Sequence, residues 1–233
     1  MVNRGLGRLR PFYNAHHIFK TVARGGLSFS QFGEDLLISR LASIPRNCYY
    51  VDIGAAYPVK HSNTFRWYLR GGCGITVEPN PDLAQQHRRV RPRDTCLEVG
   101  VSARPGTLIY HRFEVPDYNT FDGETASRVR GKGIRELDRL EIPTIPLAEV
   151  LERHCQLRTI DVMSIDCEGL DMEVVRSSDW SRFHPRVLVI EDHEWSFERP
   201  ESAISRFLMD AGYRLVSRLS YSSVFLSHEF YDY

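Results

Sequence analysis

The sequence lacks the cysteine patterns of a disulfide-rich or zinc-binding protein. Its five cysteines are odd in number, no two are spaced as Cys-x-x-Cys, and several lie within apolar runs. A free cysteine in such a run behaves as a small core residue. The pattern argues against a disulfide framework or a zinc site and predicts a reducing compartment, so we expect a cytoplasmic protein.

An excess of charge of one sign is also absent. Thirty lysines and arginines balance thirty aspartates and glutamates, whereas a nucleic-acid-binding protein normally carries a basic stripe or patch. The local exception is the segment 1–27, which holds five basic and no acidic side chains. We expect no nucleic-acid partner, and at most a weak contact between this N-terminal segment and an anionic membrane surface.

Long apolar runs are missing as well. No stretch reaches the ~20 apolar residues that a transmembrane helix needs, and the N-terminus has no apolar core of a signal peptide. The sequence therefore predicts a soluble protein.

The last absence is a glycine-rich turn for binding phosphates. The first predicted strand ends in Asp52-Ile53-Gly54-Ala55-Ala56 instead of GxGxxG, the pattern that cradles a pyrophosphate. The small residues Gly54 and Ala55 still let the backbone approach a ligand. The site therefore suits a ligand that has a ribose but no phosphates, and it disfavours a nicotinamide cofactor.

The sequence does contain a regular alternation of strand-like and helix-like segments. Short apolar runs predict buried strands, and segments with helical spacing of apolar residues follow them. Ser30 and Ser62 are predicted N-caps, and Pro81 opens a further helix. The predicted strands are 48–53, 74–77, 95–101, 161–165 and 187–190, and the other helices are 30–41, 62–69, 170–176 and 201–211. This alternation predicts an open α/β sheet of parallel strands.

The C-terminal end departs from this alternation. Two strand-like runs, 213–218 and 224–228, are separated by only five residues, which is too short for a parallel crossover and predicts an antiparallel hairpin. A mostly parallel sheet that ends in such a hairpin resembles the Rossmann-like class I methyltransferase fold. We expect residues 28–233 to form one domain of this kind, in which the polar segment 116–139 is an irregular loop that closes over an acceptor.

Acidic residues follow several of the predicted strands. Glu78 closes the second strand, twenty-six residues after Asp52, where a carboxylate can accept hydrogen bonds from both hydroxyls of a ribose. Asp166 and Glu168 follow the strand 161–165. They could orient a nucleophile, hold a cation or bind an amino group.

A histidine follows the last parallel strand, next to a further carboxylate. Glu191 and His193 come directly after the apolar run 187–190. Because its ordinary pKa is near neutrality, His193 is the best candidate for a general base.

Four blocks of the sequence resemble the FkbM family of methyltransferases, and they appear in the order that the family has. The blocks are SQFGED at 30–35, VDIGA at 51–55 with SNT at 62–64, GITVEPNP at 74–81, and IDCEG at 165–169 with Glu191 beyond it. The resemblance implies S-adenosylmethionine as the methyl donor and usually O-methylation, with a natural product or a glycan as acceptor. Cys167 departs from the pattern, because a small or branched apolar residue is commoner there.

The residues and the resemblance together give a set of expected roles. We expect Asp166, Glu191 and His193 to orient the acceptor and to take its proton. A divalent cation such as Mg²⁺ between the carboxylates is left open. The residues expected to bind the donor are Gln31, Asp35, Asp52, Gly54, Ala55, Asn63, Glu78, Asn80 and Glu168.

Three other functions stay open at this point. A nicotinamide-dependent oxidoreductase would share the fold but needs the missing glycine-rich turn. A metal-dependent hydrolase could use Asp166, Glu191 and His193 and would not need Glu78. A non-catalytic module that binds S-adenosylmethionine would keep only the donor site. The sequence leaves undetermined which small-molecule or carbohydrate acceptor is used and whether the chain forms a homo-oligomer.

Overall fold

The computed structural model describes residues 26–155, 158–194 and 201–230, so nearly all of the basic segment 1–27 lies outside the described residues. The described helices are α1 (Glu34–Leu41), α2 (Phe65–Leu69), α3 (Pro81–Val90), α4 (Gly123–Gly131), α5 (Leu147–His154), α6 (Asp171–Arg176) and α7 (Ala203–Asp210). The described strands are β1 (Tyr49–Ile53), β2 (Cys73–Val77), β3 (Thr95–Leu97), β4 (Gly100–Val101), β5 (Gly106–Phe113), β6 (Glu136–Ile145), β7 (Val162–Ile165), β8 (Val187–Glu191), β9 (Tyr213–Leu219) and β10 (Ser222–Ser227). Among these ranges no helix has the length and apolar character needed to cross a membrane.

The central sheet has seven strands in the order β3-β2-β1-β7-β8-β10-β9. Five neighbouring strands are parallel to one another, namely β3, β2, β1, β7 and β8. β10 runs antiparallel to both of its neighbours. This arrangement confirms the predicted α/β fold with an antiparallel C-terminal hairpin. The hairpin turn consists only of Ser220 and Tyr221, and Ser220 adopts a left-handed backbone conformation with φ 53°.

Both faces of the central sheet are covered, which is why its strands are nearly continuous apolar runs. Successive side chains of a strand point to opposite faces, so Tyr50 packs into one apolar cluster while Val51 and Ile53 pack into the other. Buried residues of α5, α6 and α7 complete the cluster around Val51, and those of α1 and α2 complete the cluster around Tyr50.

Residues 95–101, predicted as one strand, divide between two sheets. β3 pairs with β2 at the edge of the central sheet, whereas β4 pairs with β6 in a separate three-stranded sheet of order β4-β6-β5. The antiparallel pair β5–β6 was not predicted. Many of its side chains are exposed, so it shows no buried apolar run.

The expectation that residues 116–139 are irregular is wrong. The segment contains a 3₁₀ turn at Pro116–Tyr118, all of α4 and the first residues of β6. Asp122 caps α4 by accepting a hydrogen bond from the backbone nitrogen of Thr125 at 2.7 Å. Its glycines misled the prediction, because two of them are the first and last residues of α4. Closure of this segment over an acceptor stays a prediction.

Of the three helices for which the sequence names a cap or a first residue, one begins as predicted and two differ. α3 begins at Pro81, as predicted, and its N-cap is Asn80. The N-cap of α1 is Gly33, three residues after Ser30. The Ser30 hydroxyl still contacts the first turn, because it accepts a hydrogen bond from the Asp35 backbone nitrogen at 3.2 Å and donates one to the Asp35 side chain. The N-cap of α2 is Thr64.

A core residue of α7 provides a test of the packing. Leu208 is completely buried, and Leu208→Ala should lower the free energy of unfolding by about 2–5 kcal/mol, because it removes apolar contacts and leaves a cavity. The adjacent Met209 is 36% exposed, so Met209→Ala should cost no more than about 1 kcal/mol. Urea denaturation followed by circular dichroism measures both. Equal losses for the two variants would contradict this packing.

Candidate active site

A cavity of about 900 Å³ opens at the carboxyl ends of β1, β2, β7 and β8. Ligands of open α/β sheets bind at this edge, because the loops that follow parallel strands meet there. The cavity brings together most of the residues that the sequence singled out, namely Gln31, Asp52, Gly54, Ala55, Asn63, Glu78, Asp166, Glu168, Glu191 and His193. Asp35 and Asn80 do not line it.

Close approach of the backbone shapes the floor of the cavity. Gly54 has φ 73°, a conformation that costs other residues strain, and a Cβ atom on it would lie 1.8 Å from the backbone oxygen of Asp166. The backbone nitrogens of Gly54 and Ala55 both donate to the Val77 oxygen at 3.0 Å. The ends of β1, β2 and β7 are therefore drawn together around a residue that must be glycine.

Glu78 is almost completely buried at the end of β2. Its Oε2 accepts a hydrogen bond from the backbone nitrogen of Ala56 at 2.8 Å, and its Oε1 accepts one from that of Asn80 at 2.7 Å. Each oxygen keeps a further lone pair for a ligand. Burial raises the pKa of Glu78 to about 8, although the two backbone donors oppose the rise. Two ligand hydroxyls that donate to these oxygens would favour the ionised form.

Asp52 lies next to Glu78 and is also buried. Its Oδ2 accepts a hydrogen bond from the Thr64 hydroxyl. Burial raises the pKa of Asp52, and the nearby Arg91 guanidinium and the Thr64 hydroxyl counteract that rise. Asn63, from the same loop as Thr64, donates to the Ser164 hydroxyl at 3.0 Å. The Oδ1 atom of Asn63 has no partner among the described residues.

Three carboxylates gather at the other side of the cavity. Asp166, Glu168 and Glu191 each offer an oxygen atom within 4.8 Å of the others. Burial, followed by the charge of Glu191, raises the pKa of Asp166 well above its ordinary value and that of Glu168 to about 8. One oxygen each of Asp166 and Glu191 is buried and has no partner among the described residues. The cluster could share protons, bind a positively charged ligand group or hold a divalent cation through hard oxygen ligands.

His193 lies at the rim of this cluster, with about half of its side chain exposed. Its Nε2 is 3.1 Å from the Oε1 of Glu191. The hydrogen bond to Glu191 raises the pKa of His193, although partial burial opposes the rise. The ring of Tyr221, from the β9–β10 turn, packs 5.0 Å from the imidazole. The arrangement orients one ring nitrogen by a carboxylate, as in general-base pairs.

Asp35 and Asn80 have other surroundings. Asp35 is completely buried and accepts hydrogen bonds from the hydroxyls of Ser28 and Ser30 and from Arg66 Nε at 3.0 Å. It ties the chain before α1 to α2. Asn80 caps α3, and its backbone nitrogen donates to Glu78. Any effect of these two residues on a ligand in the cavity is therefore indirect.

Several residues that shape the cavity were not singled out from the sequence. Tyr110 and Phe121, whose ring centroids are 4.7 Å apart, line it and come from β5 and from the loop before α4. Asp171 does not line the cavity, but it accepts hydrogen bonds from the backbone nitrogens of Cys167 and Gly169 and so shapes the turn that carries Glu168. The position of Asp171 in the first turn of α6 was a usable signal. The aromatic pair had none, because β5 was not predicted.

The contact at Gly54 can be tested without a ligand. Gly54→Ala places a methyl group against the Asp166 backbone and forces an alanine into a left-handed conformation. We expect a loss of several kcal/mol in the free energy of unfolding, of the order of ~3 or more. Gly123→Ala is the matched control, since a Cβ there meets nothing within 4 Å. A Gly54→Ala protein as stable as the control would refute the close approach.

Comparison with known proteins gives three findings of different kinds. The family model described as the Methyltransferase FkbM domain matches residues 52–215. A search of curated proteins found no match. Among solved structures, the methyltransferase FkbM from Methylobacillus flagellatus KT is 11% identical, with a TM-score of 0.46 over 93% of this chain and 60% of that chain.

Two further solved structures were found at similar distance. A TehB-like SAM-dependent methyltransferase from Corynebacterium glutamicum is 12% identical, with a TM-score of 0.42 over 92% of this chain and 97% of that one. Fibrillarin from Aeropyrum pernix, crystallised with natively bound S-adenosyl-L-methionine, is 14% identical, with a TM-score of 0.42 over 84% of this chain and 73% of that one.

The family match covers most of the chain and includes the residues that form the floor of the cavity. It begins at the end of β1, with Asp52, and extends into β9. It therefore spans the ends of β2, β7 and β8, from which Glu78, Asp166 and Glu191 reach the cavity. The chain belongs to the FkbM methyltransferase family.

Proposed function

We propose that this protein is an S-adenosylmethionine-dependent O-methyltransferase that acts on a hydroxyl of a sugar, a glycan or a small natural product. The observation that carries the proposal is the composition of the single cavity described above. Its β1–β2 side presents buried carboxylates suited to ribose hydroxyls, and its β7–β8 side presents a histidine–carboxylate pair suited to deprotonating an acceptor. Membership of a methyltransferase family supports methyl transfer as the chemistry that joins the two sides.

The donor side fits a nucleoside without phosphates. Glu78 has a free lone pair on each oxygen and lies beside Asp52. Apolar side chains next to Glu78 offer a surface for a purine ring, and they are Val77, Pro79, Leu83, Val99 and Val101. When bound, S-adenosylmethionine supplies an electrophilic methyl group on a sulfonium. The residues of this chain hold the ribose and exclude water around it.

The acceptor side fits a hydroxyl that must lose a proton. An aliphatic hydroxyl is too weak an acid to ionise at neutral pH, so it needs a base in the transition state. Neutral His193, oriented by Glu191 at 3.1 Å, can take that proton. Asp166, whose pKa is raised by burial and by the charge of Glu191, lines the same cavity and can orient the acceptor through a hydrogen bond. The raised pKa of His193 means that turnover falls as the pH drops through it, because protonated imidazole is no base.

Two aromatic rings, those of Tyr221 and Phe32, favour an acceptor that contains a ring. Tyr221 is 54% exposed and Phe32 is 40% exposed, and their centroids are 6.2 Å apart. Buried Glu34 holds both in place, because it accepts hydrogen bonds from the Phe32 backbone nitrogen and from the Ser222 hydroxyl. Tyr221 lines the cavity beside His193, and Phe32 packs against Tyr221. Their exposed aromatic faces are suited to the apolar face of a sugar ring or to a planar natural product.

The three carboxylates favour a second route for the acceptor proton. A divalent cation held by Asp166, Glu168 and Glu191 would lower the pKa of a coordinated hydroxyl, and His193 would then be dispensable. The same residues would serve a metal-dependent hydrolase, but that function gives no reason for the buried acceptor atoms of Glu78. A module that binds the donor without catalysis is separated from an enzyme only by an assay.

Activity is tested by incubating the protein with S-adenosylmethionine and a panel of sugars, glycosides and hydroxylated natural products. We expect S-adenosylhomocysteine to form with at least one class of acceptor and methyl ethers to appear in the mass spectrum of the product. Formation of methylated amines or carboxylates instead would contradict O-methylation.

The donor site predicts a specific effect of Glu78. Glu78→Ala should weaken S-adenosylhomocysteine binding at least tenfold, since charge-assisted hydrogen bonds are worth about 1.5–3 kcal/mol each. For the wild type, affinity should rise between pH 6 and pH 8 and then level off, because the proton on Glu78, with a pKa of about 8, must leave when ribose hydroxyls bind. The rise should be smaller in Glu78→Gln.

Isothermal titration calorimetry measures these affinities. Glu98 is the matched control, because its side chain is 38% exposed and pairs with Arg88, so Glu98→Ala should bind as the wild type does. A folded Glu78→Ala protein with unchanged affinity would exclude Glu78 from the donor site.

The acceptor side predicts a separate effect on turnover. His193→Ala should lower kcat about 10²-fold or more while donor affinity stays nearly unchanged, since a positioned base contributes 10²–10⁴-fold. Asp166→Asn should be at least as damaging, because it removes the titratable group and keeps its shape. His154→Ala is the control, since that side chain does not line the cavity.

The pH profile and a chelator decide between the two routes for the proton. With His193 as the base, kcat should fall at low pH in the wild type and be insensitive to EDTA. Near-normal turnover of His193→Ala together with loss of activity in EDTA would assign the proton to the cation route.

A further inference from the structure

The region behind Asp52 contains a buried arginine that the proposed function does not use. Arg91, which follows α3, has none of its surface exposed. It continues the buried face of that helix, four residues after His87 and eight after Leu83. The neighbouring Arg93 is exposed. A buried guanidinium carries a large desolvation cost unless each of its donors is satisfied, so its partners indicate what it does.

The partners of Arg91 are the residues on both sides of Asn63. Its terminal nitrogens donate to the Ser62 hydroxyl at 3.2 Å and to the Thr64 hydroxyl at 2.9 Å. Its Nε donates to Asp94 at 2.7 Å, and this carboxylate balances the charge.

Two aromatic rings and a tyrosine hydroxyl complete the surroundings of the guanidinium. Its central carbon lies 5.2 Å from the centre of the Tyr50 ring and 5.5 Å from that of Tyr68. The Tyr50 hydroxyl donates to the same Asp94 carboxylate. The guanidinium is therefore held in one orientation by stacking, charge and hydrogen bonds.

The contacts of Arg91 continue into the cavity in two ways. Thr64, which accepts from Arg91, donates in turn to Asp52. Asn63, whose two neighbours in the chain are both held by Arg91, lines the cavity and has a buried Oδ1 without a partner in the described part of the chain. An acceptor atom left free inside a cavity is suited to a donor group of a ligand.

We propose that Arg91 is the positioning residue of the donor subsite, acting through Thr64 on the Asp52 carboxylate and through the Ser62–Thr64 loop on the Asn63 amide. Arg91 itself touches no ligand. The inference rests on the proposed binding of S-adenosylmethionine. It adds that the affinity of that site depends on a buried cation behind it.

The charges around Asp52 define the expected dependence on pH. The groups that face it are Arg91 and Asp94 on one side and Glu78 from β2 on the other. Arg91 favours the ionised form of Asp52, whereas the two carboxylates disfavour it. Weakening the link to Arg91 should therefore make Asp52 ionise at higher pH, so ligand affinity should continue to rise above the pH at which the ionisation of Glu78 is complete.

The decisive variant is Thr64→Val, which removes the link to Asp52 and leaves the Arg91–Asp94 ion pair intact. We expect S-adenosylhomocysteine affinity at pH 7 to fall about 10- to 100-fold, the size of effect seen when the hydrogen-bond partner of a metal ligand is removed, and to recover partly at pH 9. Arg91→Met should lose more affinity, and Arg91→Lys should lie between Arg91→Met and the wild type, since an ammonium keeps the charge but not the planar fork. Arg89→Met, at an exposed position of α3, is the matched control and should bind as the wild type does.

Calorimetry from pH 6 to pH 9 measures these affinities, and carboxyl ¹³C chemical shifts follow the ionisation of Asp52 independently of the ligand. If Arg91→Met does not fold, Thr64→Val alone decides the test. If the wild type binds S-adenosylhomocysteine and folded Thr64→Val binds it equally well at every pH, the positioning role is refuted and the proposed function stands. If the wild type itself does not bind, the proposed donor and this inference both fail.

Discussion

The cavity depends on one backbone contact, the approach of the β1 end to the ends of β2 and β7. Gly54 and Ala55 donate to the Val77 oxygen, and the Asp166 nitrogen donates to the Ile53 oxygen. No side chain fits between Gly54 and the Asp166 backbone. Because the three strand ends are held at this spacing, the side chains that flank them project into one space. The donor and acceptor sides of the proposed reaction are adjacent for this reason.

The same spacing buries several carboxylates close to one another. The protein compensates the charges of these carboxylates to different extents. Asp52 and Glu78 each accept hydrogen bonds from neighbouring groups, so their charge is partly compensated. Asp166 and Glu168 lie near Glu191 with raised pKa values and have fewer donors around them. Binding to a site of this kind is favourable when the ligand brings hydrogen-bond donors, positive charge or protons. The less compensated carboxylates at the β7–β8 side are consistent with proton transfer there. The more compensated pair at the β1–β2 side is consistent with ligand binding.

The small sheet β4-β6-β5 gives the cavity its remaining wall. Phe121 packs so closely on Gly100 that a Cβ atom there would lie 2.6 Å from its ring, and the Thr120 hydroxyl donates to the Glu168 backbone oxygen at 2.9 Å. The segment before α4 is therefore attached both to the second sheet and to the acidic turn after β7. Any movement that opens the cavity on this side must break these contacts, so the segment is a structured wall of the cavity.

Local patterns in the sequence were sufficient for the parallel strands β1, β2, β7 and β8, for the start of α3 at Pro81 and for the grouping of Asp52, Glu78 and Asp166 at one edge. Apolar periodicity, capping and strand ends depend on residues within a few positions of each other, so they can be read from the chain. The partner of a buried polar side chain depends instead on which elements pack together. Asp35 and Asp52 both stand in family-like blocks, yet only the tertiary structure decides that Asp35 binds serines and Arg66 while Asp52 faces the cavity. Arg91 stands in a run of arginines that reads as a solvated helix end, and it is buried only because α3 packs that face against Tyr50 and Tyr68.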